Sequence, residues 1–189
     1  MANKVKFGLR NVYYSKITVT GGVYSYGTPV KIDGAVNLTL SPTGDRTDFY
    51  ADDIIYFSQT ANNGYEGELE VALLPDSFKT DILGQTSDVN GALIENADDT
   101  LSHFALGFEV QGDDKARRTW LYEVVPGRPN GDAPTKEATI TPQTDTLPIT
   151  VVARSSDYAV KVSMTETALN TAKFAAFFSN VYEKESASV

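Results

Sequence analysis

The sequence predicts a mainly β protein, an antiparallel sandwich or barrel-like domain with one flanking helix and a second helix near the C-terminus. Three observations lead there. Apolar and polar residues alternate over several short stretches, as where Phe104, Leu106, Phe108 and Val110 fall opposite His103, Ala105, Gly107 and Glu109. Clusters of Gly, Pro, Asn and Asp punctuate those stretches. Only two windows carry a helical period, and no strand–helix–strand rhythm joins them. With 189 residues, 41% of them hydrophobic, the chain can bury a core, and 1–189 is expected to form a single domain.

Taken in order, residues 1–15 have a mixed pattern and are expected to form an N-terminal arm, with Tyr13 and Tyr14 as anchors. Short β-rich runs follow around Gly21-Gly22 and Thr28-Pro29. From Val30 to Leu40, Val30, Ile32, Val36, Leu38 and Leu40 alternate with Lys31, Asp33, Asn37 and Thr39, the pattern of one strand. Residues 41–53 break that pattern and read as a long polar contact loop containing Phe49 and Tyr50. DIIYFSQT is a strand, and YEGELEVALLP is another, with Leu69, Val71 and Leu73 opposite Glu66, Glu68 and Glu70. PDSFKTDILG is the first helix: Pro75 suits its start, Asp76 its positive end, Phe78 and Ile82 share a face, and Gly84 can end it. The alternating hairpin 103–125 follows, then an exposed connection, 126–146, rich in Pro, Gly and Thr. LPITVVA and DYAVKVSM are strands, and 167–184 is a second helix with Phe174, Phe177, Phe178 and Val181 at i, i+3, i+4 and i+7. The expected core is Phe104, Leu106, Phe108, Val36, Leu38, Leu69 and Val71.

Chemistry is sparse. Zero Cys removes disulfides and thiolate ligands, and a formal charge of -9 argues against a sequence-independent grip on phosphates. His103 is the single histidine, too few for a two-histidine metal site, and it sits on a polar strand face. Glu66, Glu68 and Glu70 stand side by side on one strand rather than across a cleft, so a solvated face explains them better than an acid/base pair. The doublets Asp52-Asp53, Asp98-Asp99 and Asp113-Asp114 lack the ligand spacing of a calcium loop. Lys115, Arg117 and Arg118 beside Trp120 read as a salt-bridging loop. No phosphate-cradling glycine motif or nucleophile elbow occurs. The expectation is a non-enzyme without cofactor or metal. The N-terminus lacks a signal-peptide pattern and no stretch is long enough to span a membrane, so a soluble product is expected.

Two-faced strands leave sheet edges that must be closed within the chain or between copies, and a head-to-tail contact that closes by rotation makes a ring. GELEVALLPDSFKTDILG, then HFALGFEVQGDDKARRTWLYEVVPGRP, then DTLPITVVARSSDYAV resemble, in order and spacing, the major tail tube protein of long non-contractile-tailed bacteriophages, of the type common in phages of Gram-positive hosts. The likeness runs from about Val30 to Tyr158. It implies two packed sheets flanked by a helix, and hexameric rings stacked into a tube around a tape-measure protein. Terminator and distal tail proteins would cap that tube, and genomic DNA would pass through it without membrane insertion by the subunit. The implied location is the virion tail, with assembly in the host cytoplasm. On this reading Glu66, Glu68 and Glu70, then Asp33, Asn37 and Thr39, are the expected lumen residues. Tyr13, Tyr14, Phe49 and Tyr50 are the expected ring-stacking residues, on segments that order as rings stack. Two other readings stand beside it: a carbohydrate-binding β-sandwich using Tyr24, Tyr26 and Tyr65, and a capsid-decoration protein.

Overall fold

The computed structural model describes residues 3–131, 133, 135 and 142–185. Its first strands are β1 (Lys6–Thr20), β2 (Val23–Tyr26), β3 (Val30–Ile32), β4 (Ala35–Pro42), β5 (Arg46–Ala51), β6 (Ile54–Thr60) and β7 (Tyr65–Val71). Helix α1 (Asp76–Asp81) precedes β8 (Thr86–Ser87), β9 (Leu93–Ile94), β10 (Phe104–Gly112) and β11 (Arg117–Pro126). Then come β12 (Asn130–Gly131), β13 (Asp145–Val152), β14 (Lys161–Thr165) and α2 (Thr171–Ala175). The protein is mainly β, as expected, with a ten-stranded antiparallel sheet and two short helices.

The sheet runs β2-β1-β10-β11-β13-β7-β4, with β3 added to β1, β14 to β11 and β12 to β13. The turn at Asp33-Gly34, with Gly34 at φ +80°, carries the chain from β3 beside β1 to β4 at the far end of the sheet. The two ends thereby approach each other and the sheet curls into a barrel-like sandwich. Inside it lie Val12 and Tyr14 of β1, Leu69 and Val71 of β7, Phe104 and Leu106 of β10, Leu121 of β11, and Leu147 and Val151 of β13. Helix α1 covers this core as predicted. Pro75 precedes it in extended conformation, Lys79 pairs with Asp76 in its first turn, and Gly84 beyond it takes φ +78°. So short a helix persists only through its packing. Phe78 stands edge-on to Tyr14 and Phe104, at 5.0 and 5.3 Å between ring centres.

The second face of β10 and β11 is buried as well. Cross-strand neighbours Tyr13, Gly107, Trp120 and Val162 form a row over β1, β10, β11 and β14. A Cβ on Gly107 would meet the Trp120 ring at 2.8 Å, so glycine is what lets the indole lie flat there. The C-terminal segment closes over this row. Phe178 stacks on Tyr13 at 4.8 Å and meets Trp120 edge-on, while Phe177 and Val181 are buried beside Tyr122. Alternate residues of β11 hold its backbone: Arg118 donates to the Phe174 carbonyl, Trp120 Nε1 to that of Phe177 at 2.8 Å, and the Tyr122 hydroxyl to that of Tyr182 at 2.9 Å. Burial raises the Tyr122 phenol to about 12, so it stays a donor throughout the physiological range.

Several expectations are corrected. Residues 1–15 are not an arm, because β1 begins at Lys6 and pairs with three strands; bulges at Gly8 and Asn11, both at positive φ, broke the alternation that marks a strand. Val30–Leu40 is two strands, and a bulge between Ala35 and Asn37 leaves Val36 52% exposed while Leu38 stays half-buried. The region 41–53 is no loop: it holds the end of β4, all of β5 and a turn. The helix expected over 167–184 is confined to Thr171–Ala175, because carbonyls further along accept from Trp120 and Tyr122 instead of from helical amides. The stripe Phe174, Phe177 and Val181 is nevertheless buried. Of the connection 126–146, residues 132, 134 and 136–141 lie outside the described residues; Asn130–Gly131 pairs with β13.

Candidate functional site

Two surfaces emerge. The first is the hairpin β5–β6. It joins the body through its root, where Thr43 N donates to the Gly64 carbonyl at 3.0 Å and Asn63 N to the Thr43 carbonyl at 2.9 Å. Beyond the root it stands off the body, and all of β6 is exposed. Asp52 and Asp53, at φ 52° and 61°, form the tight turn that matches strand twist. Register places Phe49 opposite Phe57 and Ala51 opposite Ile54, so these four share one face; Tyr50 and Ile55 share the other with Arg46, Asp48 and Ser58. Tyr56 is the extra residue of a bulge. Phe49 is 59% exposed and Tyr56 70%, with Tyr50, Ile54, Ile55 and Phe57 also exposed. Arg46 is tied to Asp48 at 2.7 Å and Ser58 at 3.0 Å on the more polar face.

The second surface is the outer face of β4, β7 and β13. Glu66, Glu68 and Glu70 pair across β7 with Ser41, Thr39 and Asn37 on one side and with Thr150, Pro148 and Thr146 on the other. Five of the six predicted lumen residues therefore lie together. Asp33 does not join them, because it sits in the turn before β4 and pairs with Lys31 at 2.6 Å. Glu70 accepts from the Thr144 hydroxyl at 2.7 Å, and among the described residues no cation pairs with Glu66 or Glu68. Beside them an open groove of about 520 Å³ runs past Thr39, Gly67 and Pro148. Gly67 is required because a Cβ would collide with the Thr39 carbonyl of the adjacent strand.

The remaining predicted residues are accounted for by packing. Tyr14, expected at a ring contact, is 1% exposed and donates to Asp81 at 3.0 Å, and half-buried Tyr13 stacks under Phe178, so both are engaged within the chain. Phe49 and Tyr50 are exposed, on opposite faces of the hairpin. His103 Nδ1 lies 2.8 Å from Glu123, whose other oxygen accepts from Tyr24 at 2.8 Å. Tyr26 donates to the Tyr122 carbonyl at 3.2 Å and also bonds Arg154, while Tyr65 accepts from Lys161 at 2.7 Å. Tyr24 and Tyr26 both flank Arg154, at 5.9 and 6.0 Å from ring centre to guanidinium, while Tyr65 stands apart with Lys161, so the three make no common platform. Arg118 lies on a strand rather than a loop and, with Arg10, clasps Glu109. Burial by itself pushes the Glu109 carboxyl up, yet the hydrogen bonds and charges of Arg118 and Arg10 hold it below the usual carboxylate range.

The sequence reading overlooked the second half of the hairpin, Ile54 to Phe57, as a contact element. The available signal was seven apolar or aromatic residues, Phe49 to Ala51 and Ile54 to Phe57, around the two-residue turn Asp52-Asp53. No protein-family model matches this sequence, and no curated protein matches it closely enough to count as a relative.

Proposed function

We propose that this chain is the tube-forming subunit of a long, non-contractile phage tail, assembling head to tail into rings that stack around a bore. The observation that carries the reading is the exposed hairpin. Monomeric proteins seldom leave a continuous apolar patch uncovered, and a lone two-stranded ribbon is marginal in water. Six large apolar side chains on β5–β6 therefore favour a protein cover in the working state. A covering copy of the same chain has its own hairpin to cover in turn, which generates closed rings or open stacks.

The acidic face supports the bore. Carboxylates two residues apart on one strand are separated by roughly 7 Å and repel by about 0.6 kcal/mol in water, a small cost. In a dry interface without cations the same three charges would cost several kcal/mol each. Glu66, Glu68 and Glu70 consequently suit a wet surface, and a wet acidic wall repels a passing phosphate backbone rather than holding it.

The test is sedimentation over rising protein concentration followed by negative-stain microscopy of the pellet. Hollow tubes of stacked rings are expected; particles that remain monomeric at every concentration, including after seeding with tail tips, would refute the proposal.

A further inference from the structure

Although the chain is acidic overall, one groove is cationic. It has a volume of about 470 Å³ and opens between the start of β1, the end of β10, β14 and β4. Lys4, Lys6, Arg117 and Lys161 rim it, with Leu40 and Val110 among its apolar lining. None of the four cations is bonded to a carboxylate among the described residues; Lys161 reaches only the Tyr65 hydroxyl and lies over its ring at 4.4 Å. Elsewhere Lys31, Lys79 and Lys173 have carboxylate partners. The other lysines unpaired among the described residues, such as Lys16 and Lys184, line no groove with them, so what sets the four apart is that they converge on one apolar groove. One carboxylate, Asp113, lies at this rim and accepts from the Lys4 backbone amide at 2.8 Å, which leaves the four cations in excess. An apolar floor under them calls for an occupant that is apolar along its body and acidic at its end.

The β5–β6 hairpin has that composition. One of its faces carries Phe49, Ala51, Ile54 and Phe57, and its tip is Asp52-Asp53. We propose that the groove receives the β5–β6 hairpin of a second copy, apolar face inward, with the Asp52-Asp53 tip against the cationic rim. This rests on the self-assembly reading and names its acceptor. A molecule cannot fill its own groove in this way. The ribbon leaves the body at Thr43, just beyond Leu40, and at about 3.3 Å per residue its tip stands roughly 30 Å from that root. Donor and acceptor are different surfaces of one chain, so the contact is heterologous and propagates. The groove lies within the usual size range of sites that enclose a small group of atoms, enough for the tip and its first apolar pair.

The absence of cysteine makes the test direct. Ala51→Cys protein is mixed with Val5→Cys protein under oxidising conditions, and with Val89→Cys protein as a control on a fully exposed residue of the β8–β9 turn, which lines no part of the groove. Cross-linked pairs are expected in the first mixture only. In parallel, Asp52→Lys/Asp53→Lys and Lys4→Glu/Lys6→Glu proteins, each checked for an unchanged melting temperature, should lose sedimentable material singly and recover it when mixed. If wild-type tubes form but the Ala51–Val5 cross-link is absent, or either reversed-charge protein assembles alone as wild type does, the acceptor assignment falls and self-assembly stands. If the wild-type chain never assembles, both fall.

Discussion

β10–β11 and β5–β6 are both antiparallel hairpins rich in aromatic and branched residues, yet the first is buried on both faces and the second on neither. The difference lies in what the rest of the chain supplies. For β10–β11, the curled sheet and α1 cover one face, and the segment around Phe174–Tyr182 covers the other. For β5–β6 the described residues offer little cover: the ribbon leaves the sheet at its root, and all of β6 is exposed. Apolar content alone does not set burial; the supply of a partner from elsewhere in the chain does, and among the described residues only β10–β11 has one on each face.

The contrast can be broken hardest at the covered hairpin. Trp120→Ala should destabilise the fold by about 3–5 kcal/mol in urea unfolding, the range for deleting a fully buried aromatic. A loss below about 1 kcal/mol would mean that the outer face is not a core. Next in size, Glu109→Gln leaves the partly buried Arg118 without its counter-charge. The expected cost is about 2 kcal/mol, less than for a fully buried pair because Arg10 is half in solvent. The same contact predicts a pH dependence. A carboxyl whose folded value is depressed contributes stability that is complete above its unfolded value of 4.5 and is lost as pH falls through the folded value. Urea midpoints should therefore drop below about pH 4.5, and Glu109→Gln should flatten that drop. Asp157, held low by its hydrogen bond from Arg154, acts with the same sign on the loop before β14. The smallest effect on stability is expected at the acidic face, where Glu66→Lys/Glu68→Lys/Glu70→Lys should change unfolding by no more than about 0.5 kcal/mol per site. Tubes should remain intact while DNA ejection from the particles slows. Normal ejection from such particles would remove these glutamates from the bore.

Much of the body was legible, because burial on one face writes itself as alternation. Phe104, Leu106 and Phe108 announced the inner core, and Pro75, Asp76, Phe78 and Gly84 announced α1. The outer face of β10 was not legible: Ala105 and Gly107 look like an unremarkable surface until their partners arrive from Phe177 and Phe178 far along the chain. Bulges hid two other features. Those at Gly8 and Asn11 made β1 look like an arm, and the one at Tyr56 brought Ile54 and Phe57 to one face although simple alternation separates them. At the candidate site, the glutamate row was readable from its spacing, and the strand pairing that adds Asn37 and Thr39 agreed with it. The cationic groove was not, since Lys4, Lys6, Arg117 and Lys161 come from three strands and the residues before β1.

Sedimentation velocity of Phe49→Ser/Phe57→Ser protein beside wild type, with melting temperature measured on both, tests most directly whether the bare hairpin is an assembly element. An unchanged melting temperature and a monomer at concentrations where wild type forms tubes is the predicted result. Tubes of wild-type length from the substituted chain, or a melting temperature that collapses with them, would contradict it.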